Sequence, residues 1–212
     1  MRVPLAALMS QAGVVTWRNL HVHVTTCAPS KGFGFYSGLF SQVAVLSYIA
    51  LVVVLTLARR RPLVKLRGLA PRAAALAASC LLPIALGALQ KPRPAPAREA
   101  LGAVLILAGM TVAVWTLGWL GRSFSVMPEA RRLVTGGPYR WVRHPLYLGE
   151  AVQSLGVLAL FPSLVVLFLV AAQLALQAWR IRFEERALRE GFPEEFDRFA
   201  ARTRARLLPG IW

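Results

Sequence analysis

The stretch GPYRWVRHPLYLGE, residues 137–150, sets Tyr139, His144, Tyr147 and Glu150 beside two arginines in one short link. Tyrosine faces attract a cation, and a nearby carboxylate adds to that pull. An imidazole exchanges protons near neutral pH, and the arginine fork suits a carboxylate. Pro145 fits the first position of a helix, which makes His144 its cap. His144, Tyr147 and Glu150 then recur every three residues along one helix face. Further on, in RIRFEERALRE (180–190), Arg180 and Glu184 stand four apart and also face one way. Such residues act together only if the fold brings two distant segments to one place.

The segments between them are apolar. Of 212 residues, 57% are hydrophobic and only 16% charged, which is outside the range of ordinary soluble domains. A bilayer core about 30 Å thick needs about 20 apolar residues in a helix. Four stretches approach this length: 37–58, 73–90, 100–120 and 146–179. The last is too long for one span, and Phe161-Pro162-Ser163 interrupts it, because proline removes a helical donor and its predecessor avoids the helical region. The reading is therefore an all-α integral-membrane bundle of about five transmembrane helices, with a helical hairpin and a cytoplasmic carboxy-terminal helix. Residues 1–36 form a tail or interfacial segment, 37–99 hold two spans, and 100–212 hold the loop, the hairpin and the tail.

Orientation follows from the basic residues. Five spans place the links 59–72 and 121–145 and the tail from Arg180 on one side, with nineteen of the 25 lysines and arginines. That side is the cytoplasm, as expected for an inner-membrane protein of a bacterium, and the amino terminus lies outside. In the tail, Gly191 and Pro193 mark the end of one helix and the start of another. Phe196, Phe199 and Ala200 make an apolar stripe on the second, suited to the membrane surface or to the loop.

Several classes are excluded. The charge of +16 is spread through links between apolar runs, with no basic face carrying interleaved aromatics, so no nucleic acid is expected as a partner. Cys27 and Cys80 are too few and too distant for a disulfide framework or a zinc site. His21 and His23 read as a solvated pair, and no metal is expected.

RRLVTGGPYRWVRHPLYLGE (131–150), RIRFEERAL after an apolar hairpin, FPEEFDRF and RLLPGI together resemble the isoprenylcysteine carboxyl methyltransferase family and its bacterial relatives, among them phospholipid methyltransferases. The likeness spans roughly residues 100–211. It implies an S-adenosyl-L-methionine site built from the loop, the hairpin and the tail. On that basis Arg131, Arg132, Leu133 and Val134 run along the cofactor, and Tyr139 touches it. His144, Pro145, Leu146 and Tyr147 make its central contacts, and Glu184 supplies a carboxylate for the sulfonium or for the amino group. Arg180 matches an arginine that binds substrate. Phe196 and Phe199 stand where relatives often carry tyrosines, which removes hydroxyl contacts there.

The function implied is methyl transfer to a lipid-like or small hydrophobic acceptor within reach of membrane lipids. A carboxylate acceptor is already a nucleophile, so catalysis reduces to alignment and exclusion of water. A thiol or amine acceptor must lose a proton, and then His144 or Glu150 is the candidate base. The alternatives are a phospholipid N- or thiol S-methyltransferase, a membrane reductase using NADPH, which shares the Arg-His-Pro element, and a non-catalytic membrane scaffold.

Overall fold

The computed structural model describes residues 13–14, 16–18, 20–22, 24–25, 33–65, 68–88, 94–127 and 129–208. Among the described residues there are five long helices: α1 (Phe33–Ala58), α2 (Leu69–Ala88), α3 (Pro96–Leu120), α4 (Pro145–Leu160) and α5 (Leu164–Gly191). A short α6 (Pro193–Arg202) follows. Two helical segments, Pro96–Ser123 and Leu164–Gly191, are long and apolar enough to cross a membrane, and Gln42–Ala58 and Pro145–Leu160 are shorter apolar helices. The bundle is a helical membrane fold. Helix α1 begins at Phe33, so part of the expected amino-terminal tail is helical. Cys27, His23 and the closing Pro209-Gly210-Ile211 lie outside the described residues, as does the side chain of Cys80; His21 is exposed on a helical turn.

The hairpin forms where proline requires it. Helix α4 ends at Leu160, and Ser163 caps α5 by accepting a bond from the Val166 amide at 3.2 Å. Val166 and Val170 pack back on Val157, Leu158 and Phe161. Helix α5 then runs on past Trp179 as a charged extension that leaves the apolar layer. Helices α3 and α4 meet along a seam of glycines at matched spacing, Gly102 against Gly156 and Gly109 against Gly149. A Cβ added at Gly109 would lie 2.4 Å from the Gly149 carbonyl oxygen, and one at Gly149 would lie 2.7 Å from that of Gly109. Small residues let helix backbones approach where lipid supplies no hydrophobic drive. Helix α1 covers α3 with Val52 and Leu55, packed in one core with Ala113, Leu117, Phe124 and Leu146. On the other side of the bundle, Gln173 of α5 donates a side-chain hydrogen bond to the Ala78 carbonyl of α2.

The links and the tail all gather at one end. A two-residue pairing joins β1 (Val64–Lys65) to β2 (Glu129–Ala130), antiparallel, with Val64 opposite Ala130. The Arg60 amide donates to the Arg122 carbonyl at 2.9 Å, and that of Leu63 to Ala130 at 2.8 Å. Arg122 Nε donates to the Ala58 carbonyl at 2.8 Å, satisfying an acceptor left open at the end of α1. Ala58 and Arg122 border the two links, so the link after α1 is pinned to the link after α3. This pairing is too short to leave a strand pattern in the sequence.

Candidate active site

The GPYR segment forms a 3-10 turn (Gly137–Arg140). Gly137 holds φ at +58°, and a Cβ there would lie 2.3 Å from the Trp119 ring, so both backbone and space require glycine. Pro138 starts the turn and drives Tyr139 inward, where Phe196, Phe199, Leu133 and Val134 pack around it. The phenylalanine stripe therefore faces the loop. Phe196 and Phe199 are almost wholly buried, worth about 1.5–3 kcal/mol each. Burial, and then the charge of Glu184, push the Tyr139 phenol up, so it stays protonated.

His144 occupies the cap position of α4 and Pro145 the first helical one, but no side-chain cap bond forms. The imidazole turns instead to α5, with Nε2 3.3 Å from Glu185 Oε1. Its ring stacks on Tyr147 with centroids 5.8 Å apart. The Tyr147 hydroxyl donates to Glu184 Oε1, and Arg180 Nε donates to the same oxygen at 3.2 Å. The Arg180 guanidinium lies over the Tyr147 ring, 4.9 Å from its centroid. His144, Tyr147, Arg180 and Glu184 thus form one connected group.

Of these, His144, Tyr147 and Glu184 border an open cleft of about 90 Å³. Arg131, Arg132, Leu133 and Val134 form one wall, Tyr139, His144, Leu146 and Tyr147 another, and Glu184 with Leu188 and Phe199 a third. Glu184 keeps 22% of its side chain exposed, whereas Arg180 keeps 4%. Arg180 lies one layer deeper, with Nη1 donating to Ser79 Oγ at 3.3 Å and Nη2 to the Val126 carbonyl at 2.8 Å. Arg131 lines the cleft, yet its guanidinium binds Glu129 and the Arg60 carbonyl. Pro145 supports the wall from within the helix and does not line it. Glu150 lies deeper still, accepting from Gln177 Nε2 at 2.9 Å and from the Tyr48 hydroxyl at 3.5 Å. The structure therefore separates Pro145, Glu150 and Arg180 from the cleft lining and unites the others.

Sequence reading missed Glu185. Its carboxylate meets Arg143 at 2.8 Å, His144 at 3.3 Å and Arg206 at 3.1 Å. The tail from Thr203 to Arg206 lies along the loop, with the Arg143 amide donating to the Ala205 carbonyl at 2.9 Å and that of His144 to Arg206 at 3.0 Å. Thr203 Oγ1 adds a bond to the Tyr139 carbonyl at 3.3 Å. Glu185 fastens this strap. Burial pushes its carboxyl up, but hydrogen bonds from His144 and Arg206 and the charge of Arg143 outweigh that and hold it down at about 2. A depressed carboxyl contributes stability above its unfolded value near 4.5, and that contribution disappears as pH falls through about 2. Hydrogen-exchange protection of the Arg143 and His144 amides, corrected for intrinsic rates, should hold at pH 6 and fall between pH 4.5 and 2. Unchanged protection across that window would remove Glu185 as the fastener.

Among the described residues no group of three or more His, Cys, Asp or Glu could hold a metal ion. Residues 97–195 match the profile of the phospholipid methyltransferase family. The chain is 38% identical over 104 residues to the cobalt-zinc-cadmium resistance protein CzcN of Cupriavidus metallidurans, covering 48% of each chain. It is 36% identical over 108 residues to the nickel-cobalt-cadmium resistance protein NccN of Alcaligenes xylosoxydans xylosoxydans, covering 50% of each. The chain thus spans about half the length of the curated relatives it matches. The fold resembles the eukaryotic intramembrane Ras methyltransferase ICMT (isoprenylcysteine carboxyl methyltransferase), with a TM-score of 0.50 and 17% identity over 96% of this chain and 87% of that one.

Proposed function

Because residues 97–195 match the phospholipid methyltransferase family profile, we propose that the protein is an integral-membrane methyltransferase that uses S-adenosyl-L-methionine. Its acceptor is a lipid-like or small hydrophobic molecule, and its cleft faces the cytoplasm of a bacterial cell. The observation that carries this reading is the meeting of Tyr139, Tyr147 and Glu184 in a cleft that also has an apolar wall of Leu133, Val134 and Leu146.

The residues fit the group chemically. When bound, S-adenosyl-L-methionine supplies an electrophilic methyl on a positively charged sulfur. The Tyr139 ring and the partly exposed Glu184 carboxylate suit a cation. Leu133, Val134 and Phe199 offer an apolar surface to a nucleobase, and Arg132 offers a donor to a carboxylate. Arg180 and the Tyr147 hydroxyl both bind one Glu184 oxygen, which fixes the direction of the other. The chain's own contribution is thus to orient, to neutralise charge and to exclude water.

Glu150 faces Gln177 and Tyr48 inside the bundle. That makes it a polar point toward which an acceptor's head could reach from the lipid side. His144, which lines the cleft, is the better-placed base should the acceptor carry a dissociable proton. The positive-inside pattern supports the orientation, since the gathered end holds both basic links and the tail. The NADPH reductase reading rests on Arg-His-Pro alone, whereas Tyr139 of the Gly-Pro-Tyr element and Glu184 of the Glu-Glu element line the same cleft.

Calorimetry on the purified protein decides between them. S-adenosylhomocysteine should bind, and Glu184→Ala or His144→Ala should each weaken it by at least tenfold, about 1.4 kcal/mol. Binding of NADPH with no binding of S-adenosylhomocysteine would replace this reading by the reductase. Incubation with labelled S-adenosyl-L-methionine and a lipid extract would then identify the acceptor.

A further inference from the structure

Glu184 and Glu185 are neighbours in sequence, yet they face different surroundings. Glu184 lines the cleft, and Glu185 does not. Glu185 borders a separate surface groove with Arg182, Arg186, Arg189 and Arg206. Only 5% of its side chain is exposed, and its oxygens are taken by Arg143, His144 and Arg206. No room is left on it for a ligand.

Its bond to His144 has a chemical consequence. An ionised carboxylate only accepts hydrogen bonds. The Nε2 atom of His144, 3.3 Å from Glu185 Oε1, must therefore carry the hydrogen. In the neutral ring the other nitrogen then holds a lone pair. His144 lines the cleft, and Nδ1 is the one polar side-chain atom it has left to offer there. The ring stacks on Tyr147 with centroids 5.8 Å apart.

We propose that Glu185 is a positioning residue: it holds His144 in the Nε2–H tautomer so that Nδ1 meets the cleft's ligand as a hydrogen-bond acceptor, and it does not touch that ligand itself. The matching donor on the ligand is a hydroxyl or an ammonium, both present in an S-adenosyl compound. The ligand half of the proposal rests on the methyltransferase reading; the tautomer half does not. Arg143 and Arg206 serve the same end, since they fix the carboxylate that fixes the ring.

The chain has three histidines, so its imidazole nitrogens can be resolved by nitrogen NMR of the full-length protein labelled at histidine. His21→Asn and His23→Asn variants assign the signals. Without ligand, His144 should show the Nε2–H tautomer. In Glu185→Ala it should become a mixture, and S-adenosylhomocysteine affinity should fall about tenfold, the effect of losing one well-placed hydrogen bond. Glu185→Gln still offers an amide oxygen to Nε2–H, so it should restore the tautomer and bring affinity to within about threefold of wild type. An Nδ1–H tautomer in the wild-type protein would overturn the proposal. Loss of affinity in Glu185→Ala with the tautomer unchanged would also overturn it, by making Glu185 a ligand contact or a purely structural residue. Should the alanine variant fail to fold, the glutamine variant decides: Nε2–H supports the proposal and Nδ1–H ends it. If wild-type protein binds no S-adenosylhomocysteine while the tautomer follows Glu185, the methyltransferase reading fails and the positioning role stands.

Discussion

Gly109→Leu is expected to prevent α3 and α4 from closing on each other. Even a Cβ at this position would lie 2.4 Å from the Gly149 carbonyl oxygen and 2.8 Å from Gln153 Cγ. The obstacle is backbone on the facing helix, so no rotamer change relieves it. The helices must separate, and with them the matching Gly102–Gly156 contact. A cost at or above about 3 kcal/mol, the upper end for overpacked interiors, follows. The variant should elute from a sizing column in detergent as aggregate, or melt far below wild type. Gly118→Ala is the control, because a Cβ there meets nothing within 4 Å. That variant should melt no lower than the parent, given the helix preference of alanine over glycine. A Gly109→Leu protein that melts with the parent would mean that the seam is not closely packed.

Arg180→Ala should produce the largest loss among the polar substitutions. Arg180 is buried, and its three nitrogens bind Glu184, Ser79 and the Val126 carbonyl. Removing one partner of a buried ion pair costs about 3–5 kcal/mol, because the remaining charge loses its compensation. Glu184 is partly exposed, so the lower part of that range applies here. Methyl transfer should fall about ten- to a hundredfold, at 1.36 kcal/mol per factor of ten. S-adenosylhomocysteine affinity should fall with it by about tenfold, since Glu184 loses the donor that aims it. Arg180→Lys should recover only part of both, because an ammonium cannot serve three divergent acceptors in one plane. Loss of transfer at unchanged affinity would give Arg180 to the acceptor alone, as the family resemblance by itself implies.

Sequence and structure agree where a local rule acts. Pro162 ends α4, Gly191 and Pro193 separate α5 from α6, and the three-residue and four-residue spacings place His144, Tyr147, Arg180 and Glu184 together. Glu185 could not be read because its partners are scattered: Arg143 precedes the hairpin and Arg206 follows α6. Beside Glu184 it looks like one more solvated charge. The direction of the Phe196 stripe was also open, since a helix on a membrane and a helix on a loop share one pattern; Tyr139, Leu133 and Val134 settle it. The partners of Glu150 were half legible. Gln177 sits one turn before Arg180 on the same face of α5, but Tyr48 comes from α1. Nothing in the types or spacing of Val64, Lys65, Glu129 and Ala130 announces that they pair.

The strap sets a timetable for biosynthesis. Arg143 and the carbonyl it grips at Arg204 are 61 residues apart. At a synthesis rate of about 5–20 residues per second, the ribosome makes the loop roughly 3–12 s before it makes the strap. Through that interval the two helices of the hairpin are made with the loop's amides unclaimed by the strap. A half-made chain thus has its apolar helices before it has the strap that lies along the loop.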